Sequence, residues 1–139
     1  MDLLYNALNN KNNDSIYDLT SNQLNNIKYN ILKDLNLSNS IFTKFITALQ
    51  NYKYIDDLNE LREGSYIRWI KIENDENTEL YLNKGAIYCN LLITDNAVGI
   101  VCKKIIGQYF TIYNLDQYIF FQKLSDQELS ILNAIDKLV

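Results

Sequence analysis

The residues best suited to chemistry lie in the second half of the chain, where basic and aromatic side chains interleave. Arg68 stands beside the single tryptophan, and the basic pair Lys103-Lys104 precedes Tyr109 and Tyr113. Because successive residues of a strand point to opposite faces, Tyr109 and Tyr113 are expected to share one face. Exposed tyrosines on a strand are suited to stacking on bases, holding cationic side chains or contacting another protein.

A second set of candidates comes from the alternating segment 65–72. Tyr66 and Arg68 fall on one side of this predicted strand, whereas Ile67 and Trp69 fall on the other, with Trp69 expected in the core. Arg68 would either pair with Glu79 across a hairpin or lie at an interface. The predicted binding residues are the aromatic and basic side chains Tyr66, Arg68, Lys103, Lys104, Tyr109 and Tyr113.

The residues that are missing exclude several kinds of catalysis. The chain has no histidine, which rules out Ser-His-Asp and Cys-His catalysis and any zinc site that uses histidine. Cys89 and Cys102 are the only cysteines, and their spacing matches no metal motif. We expect two buried, reduced thiols, although a disulfide is conceivable if their strands pair. No glycine-rich phosphate loop occurs, so we expect no enzymatic activity, no metal and no cofactor.

Charge bears on the class of partner. The formal net charge is −4, and nucleic-acid binding depends on neutralising phosphates, so a protein partner or self-association is favoured. The expected function is a non-catalytic interaction or structural protein. A barrel that binds single-stranded nucleic acid and a reader of basic peptides with an acidic aromatic surface remain alternatives. No apolar run reaches the roughly 18 residues that span a bilayer, and Met1-Asp2 opens no signal peptide, so we expect a cytoplasmic protein without membrane contact.

Helical patterns occupy residues 1–62. Thr20 and Gln23 have the spacing of a capping box, and Ser38 or Ser40 fits the start of a further helix. Apolar residues at helical spacing follow each start, and Tyr52 continues the second apolar stripe. Two such stripes must pack on each other or on a sheet: Leu24, Ile27, Ile31, Leu32 and Leu35 in the first, then Phe42, Phe45, Ile46 and Leu49 in the second.

Residues 63–124 read as short strands separated by turns. Strands are predicted at 65–72, 79–83, 86–93, 98–105, 108–113 and 117–122, with a polar hairpin tip at 73–77. Gly85 and Gly99 suggest bulges or sharp bends. Short strands at intervals of about ten residues favour a small antiparallel barrel, SH3-like or OB-like in size. A capping box at Ser125 and Glu128 starts a final helix, 125–139, expected to pack on this barrel. The predicted class is α+β.

The start of the barrel region resembles a known group of proteins. The run Leu61-Arg62-Glu63-Gly64-Ser65-Tyr66-Ile67-Arg68-Trp69-Ile70 is similar to the opening of small β-rich proteins encoded by large DNA viruses of protists. The resemblance covers residues 58–122, including the runs 82–85, 107–112 and 118–121. It implies a viral origin, with the host cytoplasm or the virion as the location. Proteins of this group mostly have no assigned function, so the resemblance implies no site residues.

Overall fold

Residues 19–72 and 79–138 are described by a computed structural model, and they form an α+β fold. The predicted hairpin tip at 73–77 lies outside the described residues. Residues 1–18 of the predicted helical region lie outside them as well. The helices are α1 (Ser21–Lys33), α2 (Asn39–Ala48) and α3 (Asp126–Leu138). The strands are β1 (Tyr52–Ile55), β2 (Tyr66–Lys71), β3 (Ala86–Ile93), β4 (Val98–Lys103), β5 (Tyr109–Ile112) and β6 (Tyr118–Lys123).

The helices begin where the capping residues predict. The hydroxyl of Thr20 accepts a hydrogen bond from the backbone N–H of Gln23, whose side-chain oxygen accepts one from the N–H of Thr20. The same reciprocal pair joins Ser125 and Glu128 at the start of α3. Ser38, rather than Ser40, caps α2. Each cap satisfies backbone donors that lack a partner inside the helix.

The strands form one antiparallel sheet in the order β1-β6-β2-β3-β4-β5. The expected closed barrel is therefore corrected to an open sheet, because β1 and β5 stand at opposite ends and do not pair. At one end of the sheet α1 lies against β1: the Lys28 ammonium donates hydrogen bonds to the carbonyl oxygens of Leu49 and Tyr52, at 2.7 and 3.0 Å.

Strand β1 replaces the expected end of a helical stripe. Tyr52 lies in this strand, because α2 ends at Ala48 and Asn51 adopts a left-handed backbone with φ of 61° that turns the chain. The predicted strand at 79–83 is reduced to a single bridge between Leu82 and Ile70. The bulge expected at Gly99 is found at Cys89 instead, where the pairing of β3 with β4 shifts.

The two faces of the sheet carry separate hydrophobic clusters. The inner cluster takes residues from all six strands, so the sheet curves around it, and no α-helix of residues 19–72 or 79–138 contributes to it: Ile55, Ile67, Trp69, Ala86, Tyr88, Ile100, Cys102, Ile112 and Phe120. Trp69 is 7% exposed, which confirms its core position. The helix-side cluster joins α1 and α2 to the other face through Leu32, Phe45, Leu49, Ile70, Leu82 and Phe121.

A buried polar network attaches α3 to the sheet. The guanidinium of Arg62 lies 2.7 Å from the carboxylate of Glu128, which is almost fully buried. The Gln122 side-chain oxygen accepts hydrogen bonds from the Arg62 N–H and the Ser65 hydroxyl, at 2.8 and 2.6 Å. Below this network, Ile131 and Leu132 of α3 pack against Leu24 of α1. Because every partner is satisfied, the buried charges hold the C-terminal helix in one place.

Candidate functional site

Three predicted binding residues lie in one row across the sheet. Residues directly opposite in antiparallel strands share a face, and Tyr66 is opposite Ile87, Ile87 opposite Lys103, and Lys103 opposite Tyr109. The row therefore runs from β2 to β5 on the face that α1 and α2 cover at the other end of the sheet. The sequence alone placed Tyr66, Lys103 and Tyr109 on separate strands. The strand pairing brings these three residues onto one surface of the sheet.

Strands β4 and β5 form the open end of this face. The helix-side cluster draws its strand residues from β1, β2 and β6, so among the described residues it stops short of β4 and β5. Tyr109 is 66% exposed and Tyr113 is 44% exposed. Val101 and Thr111 lie opposite each other between these tyrosines and are half-buried. We call this set the open face: Val101, Lys103, Tyr109, Thr111 and Tyr113.

A glycine shapes the open face. A Cβ atom at Gly99 would lie 2.7 Å from the Cγ2 of Thr111 and 3.0 Å from the ring of Tyr113. The missing side chain thus leaves room for the Tyr113 ring to lie against the backbone of β4. Packing of an aromatic ring over a strand glycine fixes the ring without burying it. Tyr113 is consequently held in place while part of its ring stays in contact with solvent.

The two lysines lie over aromatic rings. The Lys103 ammonium is 5.5 Å from the centroid of the Tyr109 ring, and the Lys104 ammonium is 5.8 Å from the centroid of Phe110. Both distances are within the range of cation–π attraction, worth about 0.5–1 kcal/mol at an exposed site. The rings therefore compete with any phosphate for these two cations.

Tyr66 and Arg68 have backbone partners. The Tyr66 hydroxyl donates to the carbonyl of Lys84 at 2.8 Å, and the Arg68 Nε donates to the carbonyl of Asn83 at 2.9 Å. The structure gives Arg68 this carbonyl as a partner and not the expected Glu79, while its expected place at an interface stays a prediction. Both side chains approach Gly85, which has a φ of 97°. They hold the turn before β3, so their role in the structure is to shape the rim of the site.

The cysteines are both free, but only Cys102 is buried; Cys89, which was also expected to be buried, is half-buried. Strands β3 and β4 do pair, but the bulge at Cys89 places Tyr88 opposite Cys102. Cys102 is fully buried in the inner cluster, and burial, reinforced by the neighbouring Cys89 thiol, raises its pKa to about 12. A buried, protonated thiol is a poor nucleophile and a poor metal ligand.

The surface clefts carry little acid–base chemistry. A cleft of about 360 Å³ lies between the α1–α2 turn and residues 79–80, and Glu79 is the charged side chain among its described lining residues. A second cleft, of about 320 Å³, is lined in part by Lys53 and Glu60, which form an ion pair of 2.8 Å. Burial by itself would raise the pKa of Glu60, but hydrogen bonds from Lys53 and from the N–H groups of Asp57 and Asp56 outweigh it and lower that pKa. Over 19–72 and 79–138, no group of three or more Cys, Asp or Glu side chains is placed to hold a metal ion.

Sequence reasoning missed the centre of the open face. Val101 and Thr111 lie two residues from Lys103 and Tyr109, so the same alternation could have identified them. Lys28 was also missed, because nothing in a helical stripe signals that a lysine will bond to carbonyl groups at the edge of a sheet.

Comparison with protein-family models, curated proteins and solved structures finds no match to this chain. None of the helices in the described part of the chain combines the length and the apolarity needed to cross a bilayer.

Proposed function

We propose that this chain is a non-catalytic protein-interaction or structural protein that contacts its partner through the open face. The observation that carries the proposal is the exposure of Tyr109, which lies opposite Lys103, together with the exposure of Tyr113 on the same face of the hydrogen-bonded β4–β5 pair. Tyrosine supplies a large, amphipathic contact area with few rotatable bonds and is enriched where interfaces have their energetic centres. The resemblance to viral β-rich proteins supports a location in the host cytoplasm or the virion.

We also propose an SH3-like arrangement for β2 to β6. Strands β2 to β5 follow one another in the sheet, and β6 returns to pair with β2 after the one-turn 3₁₀ helix Leu115–Gln117. This order supports the likeness, with β1 as an added strand beside β6. A fold of this kind hosts many functions, so the support for the proposed function comes from the residues of the open face and not from the fold.

The test is site-specific photo-cross-linking from the open face. Tyr109 would be replaced by benzoylphenylalanine, which reacts with C–H bonds within a few ångströms, and the protein would be irradiated in the cells that express it. The matched control carries the same group at Asn133, an exposed position on α3. We expect a protein adduct at position 109 that protease removes and nuclease leaves intact, and a much weaker adduct at position 133.

Either of two results would contradict the proposal. Equal cross-linking at positions 109 and 133 would mean that the open face is no preferred contact surface. An adduct at position 109 that nuclease removes would instead support the alternative of single-stranded nucleic acid.

The nucleic-acid alternative is favoured by one observation, the row that places Tyr66, Lys103 and Tyr109 on a single sheet surface. Aromatic rings next to cations on a sheet are the usual platform for stacked bases. A fluorescent oligo-dT strand is the direct probe. Binding that falls steeply with salt and weakens in Lys103→Gln and Lys104→Gln variants would support this function. The same two lysines disfavour the reader of basic peptides, since they place positive charge at the open face.

A further inference from the structure

The edge of β5 presents backbone groups that have no partner in the described part of the chain. The N–H of Lys104 donates a hydrogen bond to the carbonyl of Gln108, at 2.8 Å, and this bond shows which residues of β5 bond to β4. In an antiparallel pair, residues exchange both bonds with the opposite strand at every second position. Phe110 and Ile112 therefore bond to β4, while the N–H and C=O groups of Tyr109, Thr111 and Tyr113 point away from the sheet.

The opposite edge of the sheet is protected. Lys28 is only 4% exposed, and its ammonium bonds to the carbonyls of Leu49 and Tyr52 beside β1. Proteins usually block an exposed strand edge with a helix, a charge, a proline or a bulge. The charge and the covering helix of β1 have no counterpart along β5 among the described residues. The free edge of β5, with the exposed Tyr109 on it and the exposed Tyr113 directly after it, is therefore a template for another strand.

We propose that the strand added at this edge is β5 of a second copy of the chain, antiparallel, around a two-fold axis at Thr111. The inference rests on the proposed protein-interaction function and names the partner. The three outward-bonding residues, Tyr109, Thr111 and Tyr113, are symmetric about Thr111. Thr111 of each copy then lies opposite Thr111 of the other, and Tyr109 lies opposite Tyr113 of the second copy. Each of these pairs is able to exchange two backbone hydrogen bonds, and the two Tyr109–Tyr113 pairs are also able to pack ring against ring.

The charges at the two ends of the strand pair favour this direction. Lys103 and Lys104 lie at one end of β4–β5, and Asp95 and Asp116 lie in the turns at the other end. Antiparallel pairing brings the basic end of one copy beside the acidic end of the other, twice in the dimer. Parallel pairing would bring like charges together, which costs free energy. The two-fold arrangement is also the commonest symmetry of soluble homodimers.

The decisive experiment places opposite charges on the symmetry axis. We expect the wild-type chain to sediment at twice its 16.3 kDa mass at micromolar concentration. Thr111→Lys and Thr111→Glu should each sediment as monomers, since each places two like charges face to face. An equimolar mixture of the two variants should recover the dimer, because lysine then meets glutamate across the axis. Thr111→Pro, which removes an N–H that points away from β4, should also be monomeric.

The matched controls are Thr43→Lys and Thr43→Glu, the same changes at an exposed threonine of α2, and both should stay dimeric. A wild-type chain that is monomeric up to about 1 mM would overturn the dimer. If the Thr111→Lys and Thr111→Pro variants stayed dimeric, the dimer contact would lie on another surface and the proposal would be wrong. A mixture that stays monomeric would refute the axis at Thr111. The proposed function survives each of these results if cross-links from position 109 reach a different protein.

Discussion

Cys102 shows how one residue reports on the inner cluster. Its thiol is fully buried, and this burial together with the nearby Cys89 raises its pKa to about 12, against an ordinary value of 9.0. A thiol with a raised folded-state pKa adds stability that is complete below the unfolded-state pKa and is lost as pH rises towards the folded-state value. The unfolded chain releases its proton above pH 9, whereas the folded chain keeps it.

We therefore expect the unfolding free energy of the wild type to fall relative to Cys102→Ala between about pH 9 and 10.5, by at most about 1.4 kcal/mol per pH unit. Denaturant titrations at a series of pH values measure this difference. Cys89→Ala is the matched control: it removes the smaller contribution of Cys89 to the Cys102 pKa but keeps the burial that dominates it, so it should stay close to the wild-type slope. Parallel curves for the wild type and Cys102→Ala would show that the Cys102 thiol is not shielded from water.

The turn before β3, which Tyr66 and Arg68 contact at the rim of the site, depends on a glycine. Gly85 has a φ of 97°, and a Cβ there would meet the Ile67 carbonyl, the Tyr66 ring at 2.7 Å and the Arg68 Cγ at 2.9 Å. Gly107 has a nearly equal φ of 96°, but nothing lies within 4 Å of a Cβ at that position. The two glycines share the backbone requirement and differ only in packing.

Gly85→Ala should therefore destabilise the fold by about 3–4 kcal/mol, whereas Gly107→Ala should cost about 1 kcal/mol, which is the backbone term alone. Urea unfolding of both variants against the wild type measures the two costs. Equal losses would mean that β2 moves away freely from residue 85, and that Tyr66 and Arg68 do not depend on this turn.

For helices and strands, the local signals in the sequence were sufficient to predict where an element starts. They were not sufficient to predict which distant strands pair. The capping boxes at Thr20 and Ser125 were predicted correctly because both partners of each cap lie within one turn of helix. The alternation around Trp69 was also confirmed. Strand β1 was missed, because its position depends on pairing with β6, far away in sequence, and its first residue, Tyr52, continues the apolar helical spacing of α2. The open face was found only in part, since alternation gives the facing of Tyr109 but not the row that joins β2 to β5.

The whole molecule has a sheet with hydrophobic clusters on both faces. Trp69 lies in the inner cluster, so its fluorescence follows that cluster. Helices α1 and α2 contribute to the helix-side cluster, so the helical circular dichroism signal follows that one. Strand β1 connects the two regions that the sequence assigned to separate segments, 1–62 and 63–124, because it continues from α2 and pairs with β6. The network of Arg62, Glu128 and Gln122 adds α3 to the same unit.

Because strands β1, β2 and β6 contribute side chains to both clusters, displacement of these strands disrupts the two clusters together. We expect thermal unfolding to be a single cooperative transition, with helix loss by circular dichroism at 222 nm coinciding with the change in Trp69 fluorescence. Replacing Glu128 by Ala breaks the buried ion pair with Arg62, and it should lower both midpoints together, at a cost of about 3–5 kcal/mol. Asp126→Ala is the control on the same helix, since Asp126 is exposed, and it should move neither midpoint by more than a degree or two. If the helical signal were lost before the fluorescence changed, the helices and the sheet would be separate folding units, and β1 would contribute little to joining them.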